Sequence, residues 1–168
     1  STHYWVGTQA MQLTWTGASG TATVSNTQSH QDWTGIVGVA TGTPTQGTAA
    51  YWCWTSDNPI SSTSLRVGNN STNWVEYTGE TFAQRIGASS SFALQNNTLT
   101  YVLFDLDSPA TTSGTPTWSN PSYSLITLNV TKAGSVSLDY FTSSKNNSLG
   151  LNGLGNRITL RNTTTTIY

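Results

Sequence analysis

Short runs in which apolar and polar residues alternate recur along the chain: "MQLTWT" (11–16), "NWVEY" (73–77), "SVSLDYF" (135–141) and "RITLRN" (157–162). A period of two places alternate side chains on opposite faces, so each run predicts a half-buried β-strand. Two further runs, "WTGIVGVA" (33–40) and "LTYVLFDL" (99–106), are apolar in nearly every position. That pattern predicts central strands covered on both faces. Between the runs lie turn-forming clusters: "TGASG" (16–20), "TGTPTQG" (41–47), "SDNPISS" (56–62), "GNNS" (68–71), "DSPATTSGTPTWSNPS" (107–122) and "KNNSLGLNGLGN" (145–156). No amphipathic helical run of 11 residues is present, and no internal repeat. The expectation is one all-β domain over residues 1–168, an antiparallel β-sandwich of galectin-like or jelly-roll-like form with little or no helix. Strand connectivity stays open.

Composition sharpens this picture. Ser and Thr make up about a third of the chain and only 8% of residues are charged, with a formal net charge of −1. Solubility therefore rests on hydroxyls and amides. No basic stripe exists to neutralise phosphates, so nucleic acid is not expected as a partner, nor is direct membrane insertion, since no apolar run approaches 18 residues. The N-terminus "STHYWVG" lacks an initiator Met and the pattern of a signal peptide, which predicts a piece excised from a longer chain. A single Cys cannot form an internal disulfide, and one Cys with two His gives no metal-ligand spacing; no cofactor or metal is expected.

Candidate chemistry concentrates at "AAYWCWTSDNPI" (49–60). In a strand, Trp52 and Trp54 share one face while Tyr51, Cys53 and Thr55 share the other. Two indoles on one face are either core or an aromatic platform, and alternation alone leaves that choice open. Seven Trp and seven Tyr against four Phe favour rings with a polar handle, suited to surfaces that are half apolar and half wet. A sugar is such a surface: its C–H faces stack on rings and its hydroxyls bond to a few placed polar groups. Trp52, Trp54, Asp57, Asn58 and Arg66 are therefore the candidate glycan-binding residues.

Catalytic signals are weaker. "SHQD" (29–32) reads as a polar turn, because triads are assembled in space from distant loops. Glu76 is expected to point outward from its strand and Glu80 to sit in a turn, a solvated pair rather than the two carboxylates of a glycosidase. "DLD" (105–107) reads as a strand end with two carboxylates, and "GLNGLG" (150–155) as a turn without the spacing of a dinucleotide loop. Asn-x-Ser/Thr occurs at Asn69, Asn70, Asn96, Asn129, Asn146 and Asn162, a number close to chance in so Ser/Thr-rich a chain. No enzyme is expected.

Four stretches in order, "HYW" (3–5), "DWTGIVGVA" (32–40), "NWVEYTGET" (73–81) and "NNTLTYVLFDL" (96–106), resemble the glycan-binding head of the rotavirus spike. The resemblance implies a galectin-like sandwich and, more broadly, a projecting domain of a non-enveloped virus. A virion-surface or extracellular attachment domain for a host cell-surface glycan or receptor would follow, with a homo-oligomer possible. The alternatives from a different class are a carbohydrate-binding module or lectin of cellular or phage origin, and a structural assembly domain without sugar binding.

Overall fold

The computed structural model describes residues 10–27, 32–37 and 47–144. Eight strands run β1 (Met11–Trp15), β2 (Gly20–Asn26), β3 (Thr48–Thr55), β4 (Ile60–Asn70), β5 (Asn73–Thr81), β6 (Thr98–Ser113), β7 (Tyr123–Val130) and β8 (Gly134–Ser144). One four-residue helix, α1 (Phe82–Arg85), follows β5. All strand pairs are antiparallel, in the order β1-β8-β3-β6-β5-β4-β7-β2. The halves β1-β8-β3-β6 and β5-β4-β7-β2 are the two sheets of a jelly roll, joined where β6 pairs with β5. Of the two expected forms, the jelly roll is the one found.

Alternation explains the core. Ala49, Tyr51 and Cys53 of β3, Leu65 and Val67 of β4, Val75 and Tyr77 of β5, and Val102, Phe104 and Leu106 of β6 all point into one buried cluster, with Leu128, Val136 and Leu138 from the later strands. The halves are tied across that core by the Tyr51 hydroxyl of β3, which donates to Thr63 Oγ1 of β4 at 3.0 Å, and within its own half Tyr51 packs on Phe104 of β6 with ring centroids 5.7 Å apart. Burial drives the Tyr51, Tyr77 and Cys53 pKa values well above their ordinary ranges, because a charge there would be stripped of water.

The structure departs from three expectations. Residues 33–37 form a turn, not a central strand: the Asp32 carboxylate accepts from the Thr34 N–H at 2.8 Å, and Trp33 and Val37 are buried as plugs. Positions 38–40 lie outside the described residues. Glu80 is in β5, not in a turn, and Glu76 and Glu80 are ion-paired, with Arg66 and Arg85 respectively. The "DLD" stretch does not end its strand, because β6 continues to Ser113 through a large bulge between Gly79↔Phe104 and Tyr77↔Pro109. Proline is tolerated there because a bulge leaves the ladder interrupted. The expected strand at 157–162, the loop at 145–156 and both histidines fall outside the described residues.

Candidate functional site: an aromatic outer face

On β3 the inward residues are Tyr51 and Cys53, so Trp52 and Trp54 face away from the main core. The opposite surface of the same strands carries a second, smaller cluster of Ala50, Tyr101 and Leu103, against which Trp52 and the helix residue Phe82 pack. Cross-strand register builds this face in rows. Trp52 stands between Tyr101 on β6 and Asp139 on β8; Trp54 stands between Leu99 on β6 and Ser137 on β8. The Trp52 and Tyr101 rings lie 4.6 Å apart at 41°, the tilted contact that aromatic pairs favour.

Two devices fix this geometry. A bulge in the β3–β8 pairing between Ala50 and Trp52 places an extra β8 residue opposite β3 immediately beside Trp52, which bends and twists β8 there. At the edge, α1 is nucleated by a reciprocal cap: the Thr81 hydroxyl accepts from the Gln84 N–H while the Gln84 side chain accepts from the Thr81 N–H. The Arg85–Glu80 ion pair ties the helix back to β5. Phe82 is thereby held against the flank of the cluster.

The six described tryptophans have different surroundings. Trp33 and Trp118 are core; Trp15 packs against the core and donates from Nε1 to the Lys132 carbonyl at 2.7 Å. Trp52 is braced by Tyr101. Trp74 lies beneath the Arg66 guanidinium, whose carbon is 4.0 Å from the ring centroid, and donates its N–H to the Ser71 carbonyl at 3.0 Å. Trp54 is half-buried and belongs to neither hydrophobic cluster.

The structure separates the five expected site residues. Trp52 and Trp54 share the outer face of β3. Asp57 and Asn58 lie in the turn directly beyond Trp54, where Asp57 is held by the Thr55 hydroxyl at 3.5 Å and by Lys132 at 3.5 Å. Asn58 adopts a left-handed φ of 47°, and its buried Oδ1 has no protein partner. Arg66 stands apart on β4, in the other half of the fold, bonded to Glu76 at 2.6 Å. Tyr101, Phe82 and Asp139 complete the face around Trp52. Sequence reasoning did not select them, although the alternation of Asp139 with Val136 and Leu138 already places its carboxylate on the face opposite the core.

No group of three His, Cys, Asp or Glu able to hold a metal ion occurs among the described residues. No protein-family model matches the chain, and no curated protein matches it. Among solved structures the chain is similar to a "Family 16 Carbohydrate Binding Module-2", with a TM-score of 0.40 and 12% identity over 83% of this chain and 79% of that one.

Proposed function

We propose that this jelly roll is a non-catalytic carbohydrate-binding domain that stacks a sugar on the outer face of β3, at Trp54 and Trp52. The observation that carries this reading is the placement of Trp54. A large apolar side chain is left partly exposed on the outer face of a central strand, next to the Trp52–Tyr101 ring pair. A rigid ring with an amphipathic edge suits the alternating C–H and O–H surface of a sugar, and it loses little rotamer freedom on binding. Ring-face binding of this kind is shallow, so single-site affinity is expected in the millimolar range and gains from repetition of the domain.

The jelly roll serves both lectin and viral capsid proteins, so the fold leaves the setting to ligand specificity. Attachment of a virion to a host glycan is the finer form of the proposal, with the domain on the virion surface or otherwise extracellular. A module that holds a polysaccharide is its cellular or phage counterpart. The test is tryptophan fluorescence and retention of the multivalently displayed domain on a broad set of glycans, with Trp54→Ala alongside. Ligand-dependent quenching that disappears in Trp54→Ala supports the proposal. A stable oligomer with no glycan response at any density overturns it in favour of a structural assembly domain.

A further inference from the structure

A polar cleft of about 310 Å³ lies at one end of the β5-β4-β7-β2 half, where β2 ends, β4 turns into β5 and β7 begins. It is lined by Thr27, Asn69, Asn70, Ser71, Ser122 and Tyr123, each of which carries a hydroxyl or an amide and none a charge. Hydrogen bonds build its walls and decide which groups are left over. Asn69 is used internally: its Nδ2 donates to the Thr117 carbonyl at 3.2 Å and to Thr117 Oγ1 at 3.0 Å, and its Oδ1 accepts from the Thr117 N–H at 2.7 Å. The Ser122 hydroxyl donates to the Asn69 carbonyl at 2.9 Å.

Asn70 differs from its neighbour. Its Oδ1 accepts from the Thr72 N–H at 2.9 Å, the Thr72 hydroxyl at 2.8 Å, the Asn73 N–H at 3.0 Å and Asn73 Nδ2 at 3.1 Å. Four donors around one atom identify it as the oxygen and hold the amide plane, so the Nδ2 group is fixed in direction as well. No described residue accepts from that Nδ2. The hydroxyls of Thr27, Ser71 and Tyr123 likewise have no hydrogen-bond partner among the described residues. The Tyr123 ring is partly buried and is placed by the pairing of Tyr123 with Gly68 of β4.

This lining offers preset N–H donors, hydroxyls that both donate and accept, and one ring edge. A sugar presents the matching set, since its hydroxyls both donate and accept and its C–H groups pack on a ring. The volume falls at the lower end of the roughly 300–1,000 Å³ of small-molecule sites, which suits one sugar residue. We infer that this cleft is a second glycan site, separate from the β3 face, in which the Asn70 amide donates to a ligand hydroxyl and Tyr123 supplies ring and hydroxyl. The inference rests on the carbohydrate-binding reading above and adds a second point of attachment on the other half of the fold. Two weak sites on one domain strengthen attachment to a branched or repeating glycan without any new contact at either.

The test is affinity electrophoresis and array binding of the whole chain against glucans, mannans, xylans, galactans and sialylated oligosaccharides, with Asn70→Asp, Tyr123→Ala, Tyr123→Phe and Trp54→Ala alongside. Asn70→Asp keeps the acceptor that organises the turn and removes only the N–H donors, and Tyr123→Phe keeps the ring, so neither should lower the melting temperature. Expected is binding of at least one glycan that Trp54→Ala retains, weakened severalfold by Asn70→Asp and by Tyr123→Phe and about tenfold or more by Tyr123→Ala. Glycan binding lost in Trp54→Ala but unchanged in Asn70→Asp and Tyr123→Ala overturns the cleft and leaves the β3 reading standing. A loss confined to Tyr123→Ala and accompanied by a fall in melting temperature overturns the cleft as well, by assigning that ring to packing. No binding of any glycan by the native chain overturns the carbohydrate reading and the cleft together.

Discussion

Trp74 and Trp54 both point away from the main core, one from each half of the jelly roll, and their surroundings differ. Trp74 has a guanidinium over its ring and a carbonyl on its indole N–H, while Glu76 anchors the guanidinium from the side. Its interactions are spent on the β4–β5 hairpin. Trp54 has a strand neighbour on each side, Leu99 and Ser137, and enters no hydrophobic cluster. The comparison teaches that an outward indole signals binding only after its internal partners are counted. The Arg66–Trp74–Glu76 group is thus a structural clasp, whereas the β3 face, partly exposed at Trp52 and Trp54, is the surface on which the binding proposal rests.

Several perturbations would break or sharpen this contrast, and alkaline pH gives the largest effect. Cys53, Tyr51 and Tyr77 all have pKa values raised by burial, so the folded state keeps protons that the unfolded chain releases. Stability is therefore full below the ordinary thiol value and falls as pH rises past about 9, by about 1.4 kcal/mol per group for each pH unit above that group's ordinary value. Denaturant titration between pH 7 and 11 measures it; a flat profile would mean that these groups are not buried. Next is Gly68→Ala, where a methyl would lie 2.0 Å from the Asn73 carbonyl oxygen and 2.6 Å from Trp74 Cα. Because the obstacle is backbone, we expect a loss of about 3 kcal/mol or more, read by thermal melting.

Smaller effects discriminate between the two tryptophans directly. Trp52→Ala should cost about 2–3 kcal/mol, since it empties half of the Tyr101 contact. Trp54→Ala should cost under about 1 kcal/mol of stability yet abolish glycan-dependent quenching. A melting temperature that collapses in Trp54→Ala would assign that ring to packing instead. Smallest is Arg66→Gln, expected to cost about 0.5–1 kcal/mol through loss of the half-exposed ion pair and the cation–π contact, with glycan binding unchanged.

Alternation in the sequence correctly paired Trp52 with Trp54 and Tyr51 with Cys53, because strand geometry fixes that locally. It could not say which pair faced the core. β3 and β6 are apolar on both faces, and the outer set of Ala50, Tyr101 and Leu103 is flanked by Phe82 from α1, a contact made through the capping of a helix too short to leave a periodic signal. The 33–37 turn was misjudged because its apolar residues resemble a strand, although the Asp32 side chain and Gly35 carried a turn signal. Arg66 was grouped with Trp54 by nearness in sequence, whereas the chain reverses after β3 and crosses to the other half. Asp139 could enter the site only through register, which places residues 87 positions apart side by side in Trp52↔Asp139.

The same winding governs how the domain reaches its native state. β1 pairs with β8, Met11 opposite Leu138, and β2 pairs with β7, Gly20 opposite Val130, so the first strands find their partners only among the last. Closing such long loops before any contact rewards them makes folding slow, in the millisecond-to-second regime of non-local β topologies. On a ribosome, β1 and β2 would emerge long before their partners, as uncharged strands with unpaired edges. Expression yield should therefore depend on chaperone supply and temperature more than on the final stability of the fold.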